Sequence, residues 1–232
     1  MTSETPETQA AGRETIADLA RQRVEYGSDH LDEVAADPHT QFRTWFAEAE
    51  DAVTEPNAML LATADASGPA ARIVLLKGFD ASGFTFFTNY DSAKGRQIAA
   101  QPIVALTFPW LELQRQVRVR GIAEPIPAAD SDAYFAVRPR GAQIGAVASR
   151  QSAPVASREA MQQAYDDAAA RYDGTEVARP ENWGGYRVRA FEIEFWQGRA
   201  NRFHDRFVYM STDGQPADLA TAADWSITRL NP

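Results

Sequence analysis

Between Asn201 and Phe207 the chain reads Asn-Arg-Phe-His-Asp-Arg-Phe, placing two arginines, a histidine and an aspartate in five consecutive positions. In an extended segment, residues two apart share a face. Arg202, His204 and Arg206 then lie together, with Phe203, Asp205 and Phe207 opposite. Such a row of donors suits phosphate and other acceptors. Asp205 lowers the local charge and is placed to orient an arginine. A metal centre is not expected: cysteine is absent, and His30, His39 and His204 do not fall at chelating spacing.

Three further stretches carry polar chemistry. In "RIVLLK", Arg72 and Lys77 bracket four apolar residues. An offset of five puts them on opposite faces of a regular strand, so one ligand meets both only if the strand bends or ends between them. The plain alternative is a strand buried on both faces with charged ends. In "RQVRVRG", Gln116, Arg118 and Arg120 share a face opposite Val117 and Val119. "QIGAVASRQS" reads as a loop whose Arg150, Gln151 and Ser152 can bond a polar ring edge.

The elements that must position these groups follow from the apolar pattern. Residues 1–15 are polar and are expected to form an unstructured tail, and a short helix is expected over 16–26. Asp37 as N-cap and Pro38 at the first position open a helix with its stripe at Phe42, Trp45, Phe46, Ala49 and Val53. Then come strands: "AMLLATAD", "AARIVLLKGFD" and "FTFFTNY", joined by short turns. "DSAKGRQIAAQP" is a short helix capped by Asp91 or Ser92. "IVALTFPW" and "RQVRVRGIAEPI" are strands, and "AADSDAYFAVRPR" is helical as far as Pro139. A helix capped by Ser157 precedes the closing strands "YRVRAFEIEFWQG", "RFVYMS" and "WSITRLNP", and "STDGQPADLATAAD" before the last of them reads as a surface loop. Long βαβ alternation and glycine-rich phosphate loops are missing. The pattern predicts a mainly β architecture, an antiparallel barrel flanked by helices.

Composition narrows the function. With 44% hydrophobic residues the chain of 232 can build a core, and a net charge of −9 disfavours nucleic acid or anionic membranes as partners. The N-terminal sequence lacks the pattern of a secretory signal, and no apolar run is long enough to span a membrane. A soluble, cytoplasmic protein is expected.

Together and in this order, the motifs resemble the pyridoxamine/pyridoxine 5′-phosphate oxidase family. The resemblance runs from about Arg23 to Pro232 and rests on "RIVLLK", "FFTNYDSAKG", "RQVRVRG", "YFAVRPRGAQIGAVASRQS", "WGGYRV", "EFWQG", "RFHDRF" and "WSITRLNP". It implies one FMN-binding split β-barrel domain over 16–232, antiparallel and Greek-key-like. Residues 183–232 would serve dimerisation and substrate, and FMN would bind at the interface of a homodimer. It implies oxidation of pyridoxamine and pyridoxine 5′-phosphates to pyridoxal 5′-phosphate, with hydride passing to flavin N5 and oxygen reduced to hydrogen peroxide.

Residue by residue, the resemblance implies that Arg72, Ile73, Val74, Leu75, Leu76, Lys77, Phe87, Thr88, Lys94, Gln116, Gln151, Ser152, Trp196 and Arg206 hold FMN. Lys77, Tyr134 and Arg138 would take the substrate phosphate. Arg202, Phe203 and His204 would sit at the substrate ring, Arg202 and His204 as the catalytic pair, and Arg23 and Tyr26 would close over the site. Departures from the family pattern are Ala93, where arginine is common, Ala142, where serine is common, and Phe87, where tyrosine is frequent. Arg96 or a backbone N–H at the start of the 92–100 helix is placed to compensate for Ala93. Two alternatives remain: a sister flavin oxidase of phenazine-type biosynthesis, and a non-catalytic flavin- or pyridoxal-phosphate-binding protein.

Overall fold

A computed structural model describes residues 21–22 and 24–232. The expected tail over 1–15, most of the helix expected over 16–26, and Arg23 lie outside the described residues. Val24–Gly27 have no regular structure.

Helix α1 (Pro38–Ala52) opens as its sequence dictates, with the Asp37 carboxylate accepting from Thr40 N–H at 2.7 Å. Its stripe places Phe42, Trp45 and Ala49 in the core. The chain continues through β1 (Ala58–Asp65), β2 (Gly68–Leu75), β3 (Gly78–Asp80) and β4 (Gly83–Asn89) to helix α2 (Ala93–Ala100). Strands β5 (Ile103–Trp110) and β6 (Arg115–Pro125) follow, then helices α3 (Ala128–Ala136), α4 (Arg140–Ala148) and α5 (Arg158–Arg171). Strands β7 (Trp183–Gln197), β8 (Asp205–Ser211) and β9 (Trp225–Leu230) complete it.

All strand pairings are antiparallel, in the order β2-β1-β5-β6-β7-β4-β3, with β8 on β7 and β9 on β8. The long β7 forks the sheet. Its first half, Trp183–Val188, pairs with β4, and its second half, Glu192–Gln197, pairs with β8. The register of β6 on β7 shifts between Arg120 and Gly121, where the fork begins. Along β6, Val117 and Val119 are buried while Arg118 and Arg120 face out, as the alternation predicts. The core inside the sheet is aromatic: Phe42 lies edge-on to Phe79, Phe84 and Phe108. A second apolar cluster, Phe135, Ile144, Ala168, Val177 and Trp183, joins helices α3–α5 to the start of β7.

Five expectations change. The expected strand "AARIVLLKGFD" is broken at Leu76-Lys77 into β2 and β3, and β2 is not buried on both faces, since Ile73 is 58% exposed. Gln143–Ala148, expected as loop, lies in α4, because Pro139 ends one helix and starts the next at its N-cap. The segment 201–204 is not extended. Ala200–Arg202 form a 3₁₀ turn with Asn201 and Arg202 at φ of 58° and 63°, and β8 begins only at Asp205. Arg202, His204 and Arg206 therefore do not share a strand face. Finally, the 211–224 loop is anchored, with Leu219 only 1% exposed, its N–H donating to the Ala81 carbonyl and its own carbonyl accepting from His39 N–H.

Candidate active site

A cavity of about 550 Å³ opens between β2 and β4 on one side and helices α3 and α4 on the other. It gathers Arg72, Ile73, Val74, Leu75, Lys77, Phe87, Thr88, Lys94, Tyr134, Arg138 and Gln151 from the expected set. The break after β2 answers the five-residue offset: Lys77 sits past the strand end, its N–H donating to the Thr85 carbonyl at 2.8 Å, and faces the same cavity as Arg72. Leu76 is buried in the core and does not line the cavity.

The cavity's cations meet only neutral partners. Arg72 Nη1 donates to Thr63 Oγ1 at 2.6 Å and to the Leu61 carbonyl at 3.2 Å, and Nη2 donates to Gln97 Oε1 at 3.0 Å. Lys94 Nζ donates to Gln151 Oε1 at 2.9 Å and to Thr88 Oγ1 at 3.2 Å. Arg138 lies over the Trp183 ring at 4.5 Å, and its Nη1 is buried without a hydrogen-bond partner. Among the described residues, Arg72, Lys77, Lys94 and Arg138 form no ion pair. Burial lowers the pKa of Arg72, of Lys94 and of Arg138; the charge of Arg72 adds to the effect at Lys94, and Tyr134 opposes it at Arg138. Clustered cations without counter-charges, one with an orphaned donor, call for an anion.

Aromatic rings form the wall between these cations. Phe87 stacks on Tyr134 at 4.0 Å and on Trp183 at 5.4 Å. The three glycine or alanine positions of α4 that face the cavity, Ala142, Gly145 and Ala146, leave it open there. Arg96, a candidate to compensate for Ala93, bonds the Asp91 carbonyl and does not line the cavity.

Of the remaining expected residues, Gln116, Trp196, Arg202, Phe203, His204 and Arg206 form a second group on β6–β8 and the β7–β8 connection, which Tyr26 joins, while Ser152 follows α4; none of these lines the cavity. Gln116, Trp196 and Arg206 stand in one row of cross-strand partners. Trp196 and Tyr26 both pack against the His204 ring, at 4.6 and 5.6 Å. Gly198 permits this, since a Cβ there would meet the Tyr26 ring at 2.8 Å. Arg199 N–H donates to His204 Nδ1 at 3.0 Å, so the neutral ring carries its proton on Nε2. Burial and then the Arg202 charge lower the His204 pKa, and Asp205 opposes them. Phe203 is 73% exposed, and Ser152 is exposed with φ of 68°. Asp205 orients arginines, but those of other segments: it pairs with Arg229 at 2.7 Å and Arg199 at 3.4 Å. Arg206 pairs with buried Glu194 at 2.9 Å, and that bond raises its pKa.

Trp183, Asn89 and Ser149 line the cavity without having been singled out from the sequence. Trp183 stands in the quoted stretch "WGGYRV", but nothing in its spacing marks it as a wall of a site.

Comparison with known proteins agrees with this geometry. A family model described as pyridoxamine 5′-phosphate oxidase matches residues 46–172, and one described as the pyridoxine 5′-phosphate oxidase C-terminal dimerisation region matches 183–232. The pyridoxine/pyridoxamine 5′-phosphate oxidase of Salinibacter ruber is 51% identical over 222 residues, spanning 94% of this chain and 99% of that protein. Its namesake in Rubrobacter xylanophilus is 56% identical over 196 residues, spanning 83% and 90%. Among solved structures, PhzG from Burkholderia lata 383, in complex with tetrahydrophenazine-1-carboxylic acid, gives a TM-score of 0.78 at 28% identity, covering 88% of this chain and 99% of that one.

Fold and site thus define a flavoprotein of the split-barrel class. The chain belongs to the pyridoxamine 5′-phosphate oxidase family, and is accordingly an oxidoreductase with FMN as its cofactor. The residues present suit that cofactor, because FMN carries the phosphate dianion that the uncompensated cations of the cavity call for.

Proposed function

We propose that this protein oxidises pyridoxamine 5′-phosphate and pyridoxine 5′-phosphate to pyridoxal 5′-phosphate, with oxygen as final acceptor and hydrogen peroxide as co-product, the amine substrate also consuming water and releasing ammonia. It works as a cytoplasmic homodimer with its FMN sites at the subunit interface. The observation that carries the reading is the cavity itself, where four cations face one space and none has a carboxylate partner among the described residues. One phosphate accounts for two of them and two phosphates account for all.

In this reading Arg72 and Lys94 hold the FMN phosphate, with Thr88 and Gln151 completing its donor set. Lys77, Tyr134 and Arg138 hold the substrate phosphate, and the Phe87–Tyr134–Trp183 stack separates that end from bulk water. FMN, when bound, supplies the hydride acceptor. Arg202 orients the substrate at its reacting carbon, and His204 offers Nε2–H as a donor to the ring. Neither serves as an obligatory base. Tyr26 and Trp196 fix the His204 ring, which favours positioning over proton transfer. The second group lies on β6–β8, within or beside the region matched by the dimerisation model. Its separation from the cavity within one chain favours a site completed by the partner's copy.

Turnover tests the reading. Pyridoxine 5′-phosphate should be consumed with equimolar peroxide, and unphosphorylated tricyclic substrates should not. The likeness to PhzG favours a phenazine-type oxidase as second reading, but a substrate without phosphate leaves Lys77 and Arg138 without a counter-charge. Turnover of the tricyclic substrates alone would establish that second reading, and binding of either ligand without peroxide would establish a non-catalytic protein.

A further inference from the structure

Arg72 is held in place by two buried neutral side chains outside the cavity. Thr63, on β1, is 3% exposed and Gln97, on α2, is 8% exposed. Thr63 stands one diagonal step from Arg72 in the β1–β2 register, where Leu61 is the direct partner. Its hydroxyl accepts from Arg72 Nη1 at 2.6 Å and donates to Gln97 Oε1, also at 2.6 Å. Gln97 Oε1 accepts again from Arg72 Nη2 at 3.0 Å. Two donors converging on one oxygen fix which way the amide points. The amide is therefore left to serve the Asp65 side, where it adds a minor contribution to the lowering of the Asp65 pKa, behind the side-chain and backbone hydrogen bonds from Ser67.

We infer that Gln97, acting with Thr63, is a positioning residue that aims Arg72 at the cofactor phosphate while leaving the arginine's charge uncompensated. The inference rests on the reading of the cavity as the FMN site. A glutamate at 97 would reproduce the geometry of the amide and cancel the charge that the phosphate needs. An aliphatic residue would keep the charge and lose the aim. Only a neutral acceptor does both. Gln97 also stands three residues after Lys94 on α2, a spacing that puts both on one helix face. One helix thus presents a cation to the cavity directly and controls a second one through its amide.

Among the described residues, Glu194 serves Arg118 and Arg206, Asp205 serves Arg199 and Arg229, and Arg115, whose buried partner Gln197 is neutral, also pairs with Glu48. Arg72 differs from these arginines in having buried neutral side chains and a carbonyl as partners with no carboxylate beside them, and it does so at the cavity.

Equilibrium binding of FMN and of riboflavin, which lacks the phosphate, to the full-length apoprotein tests this, with flavin fluorescence as readout. Wild type should bind FMN far more tightly than riboflavin. Gln97→Glu should weaken FMN binding at least tenfold, leave riboflavin within about twofold, and leave apoprotein Tm unchanged or higher, because the new carboxylate pairs with Arg72. Gln97→Leu should also shrink the FMN-to-riboflavin ratio, and Thr63→Val should shrink it less. A ratio that survives Gln97→Glu overturns the role of Gln97 alone. Parallel loss of both ligands would make Gln97 a structural residue and overturns it too. A wild-type protein without preference for FMN overturns the cavity reading and this role together.

Discussion

In the cavity, Arg72, Lys94 and Arg138 meet hydroxyls, amides and aromatic rings. On the β7–β8 surface, Arg118 and Arg206 share Glu194, and Arg199 and Arg229 share Asp205. The two regions use the same side chains in opposite electrical circumstances. Around Asp205 the charge is consumed in holding the chain together: its carboxylate also accepts from Leu31 N–H at 3.0 Å, and Arg229 reaches the Leu31 and Asp32 carbonyls. These contacts tie the segment before α1, which carries Tyr26, to β8 and β9. In the cavity no carboxylate consumes the charge, and burial makes the charges of Arg72, Lys94 and Arg138 harder to keep. An acidic chain that leaves cations unpaired in one place marks where it receives an anion.

Four variants or conditions can break that contrast. The largest effect is expected at Arg202, whose left-handed backbone places it off the strand. Arg202→Leu should lower kcat by about 10²-fold or more while the FMN-to-protein ratio stays at the wild-type value. Loss of FMN with per-flavin activity retained would move Arg202 into the cofactor site.

Arg138→Met comes next. Removing a charge-assisted bond of about 1.5–3 kcal/mol should raise KM for phosphorylated substrate roughly tenfold to a hundredfold. FMN affinity should hold, and a matching fall would merge the two phosphate subsites into one.

Glu194→Gln probes the compensated region. It leaves two arginines sharing a buried neutral acceptor, so apoprotein stability should fall by about 1–3 kcal/mol in urea unfolding. FMN affinity should fall less than in an Arg72→Leu variant. The reverse order would erase the distinction between the regions.

The smallest effect is the pH response of His204. Its pKa is lowered from the usual 6.5, so the folded protein favours the neutral ring. Its contribution to stability is full above about 6.5 and is lost as pH falls through the lower folded value. Turnover assigned to this group should be flat from pH 7 to 8 and decline on the acid side, with His204→Asn removing that decline.

Much of the fold was legible because its signals are local. Asp37-Pro38 and the Phe42/Trp45/Ala49 stripe specify α1, and Val117 and Val119 specify the buried face of β6. The cavity was legible in composition through Arg72, Lys77, Lys94 and Arg138. What the sequence concealed is which of them have partners. Arg206 and Arg72 look alike in one dimension, and only the strand register brings Glu194 to one and Gln97 to the other. The extended reading of 201–204 failed for a related reason. Alternation assumes β geometry, and the left-handed residues Asn201 and Arg202 break it just before the strand starts. The 143–148 helix was hidden by Gly145 and by the serines that follow it at 149 and 152, and the preceding proline was the cue to it. Leu219 gave no sign that a polar loop would send one side chain into the core.

Whether the uncompensated cations serve two phosphates, one on the cofactor and one on the substrate, can be decided in one experiment. An anaerobic absorption spectrum of the FMN-loaded protein tests it most directly, taken before and after adding pyridoxine 5′-phosphate or pyridoxine at equal low concentration. Two phosphate sites require bleaching of the flavin band by the phosphorylated compound and little by the other. Equal bleaching by both, or none by either, would contradict them.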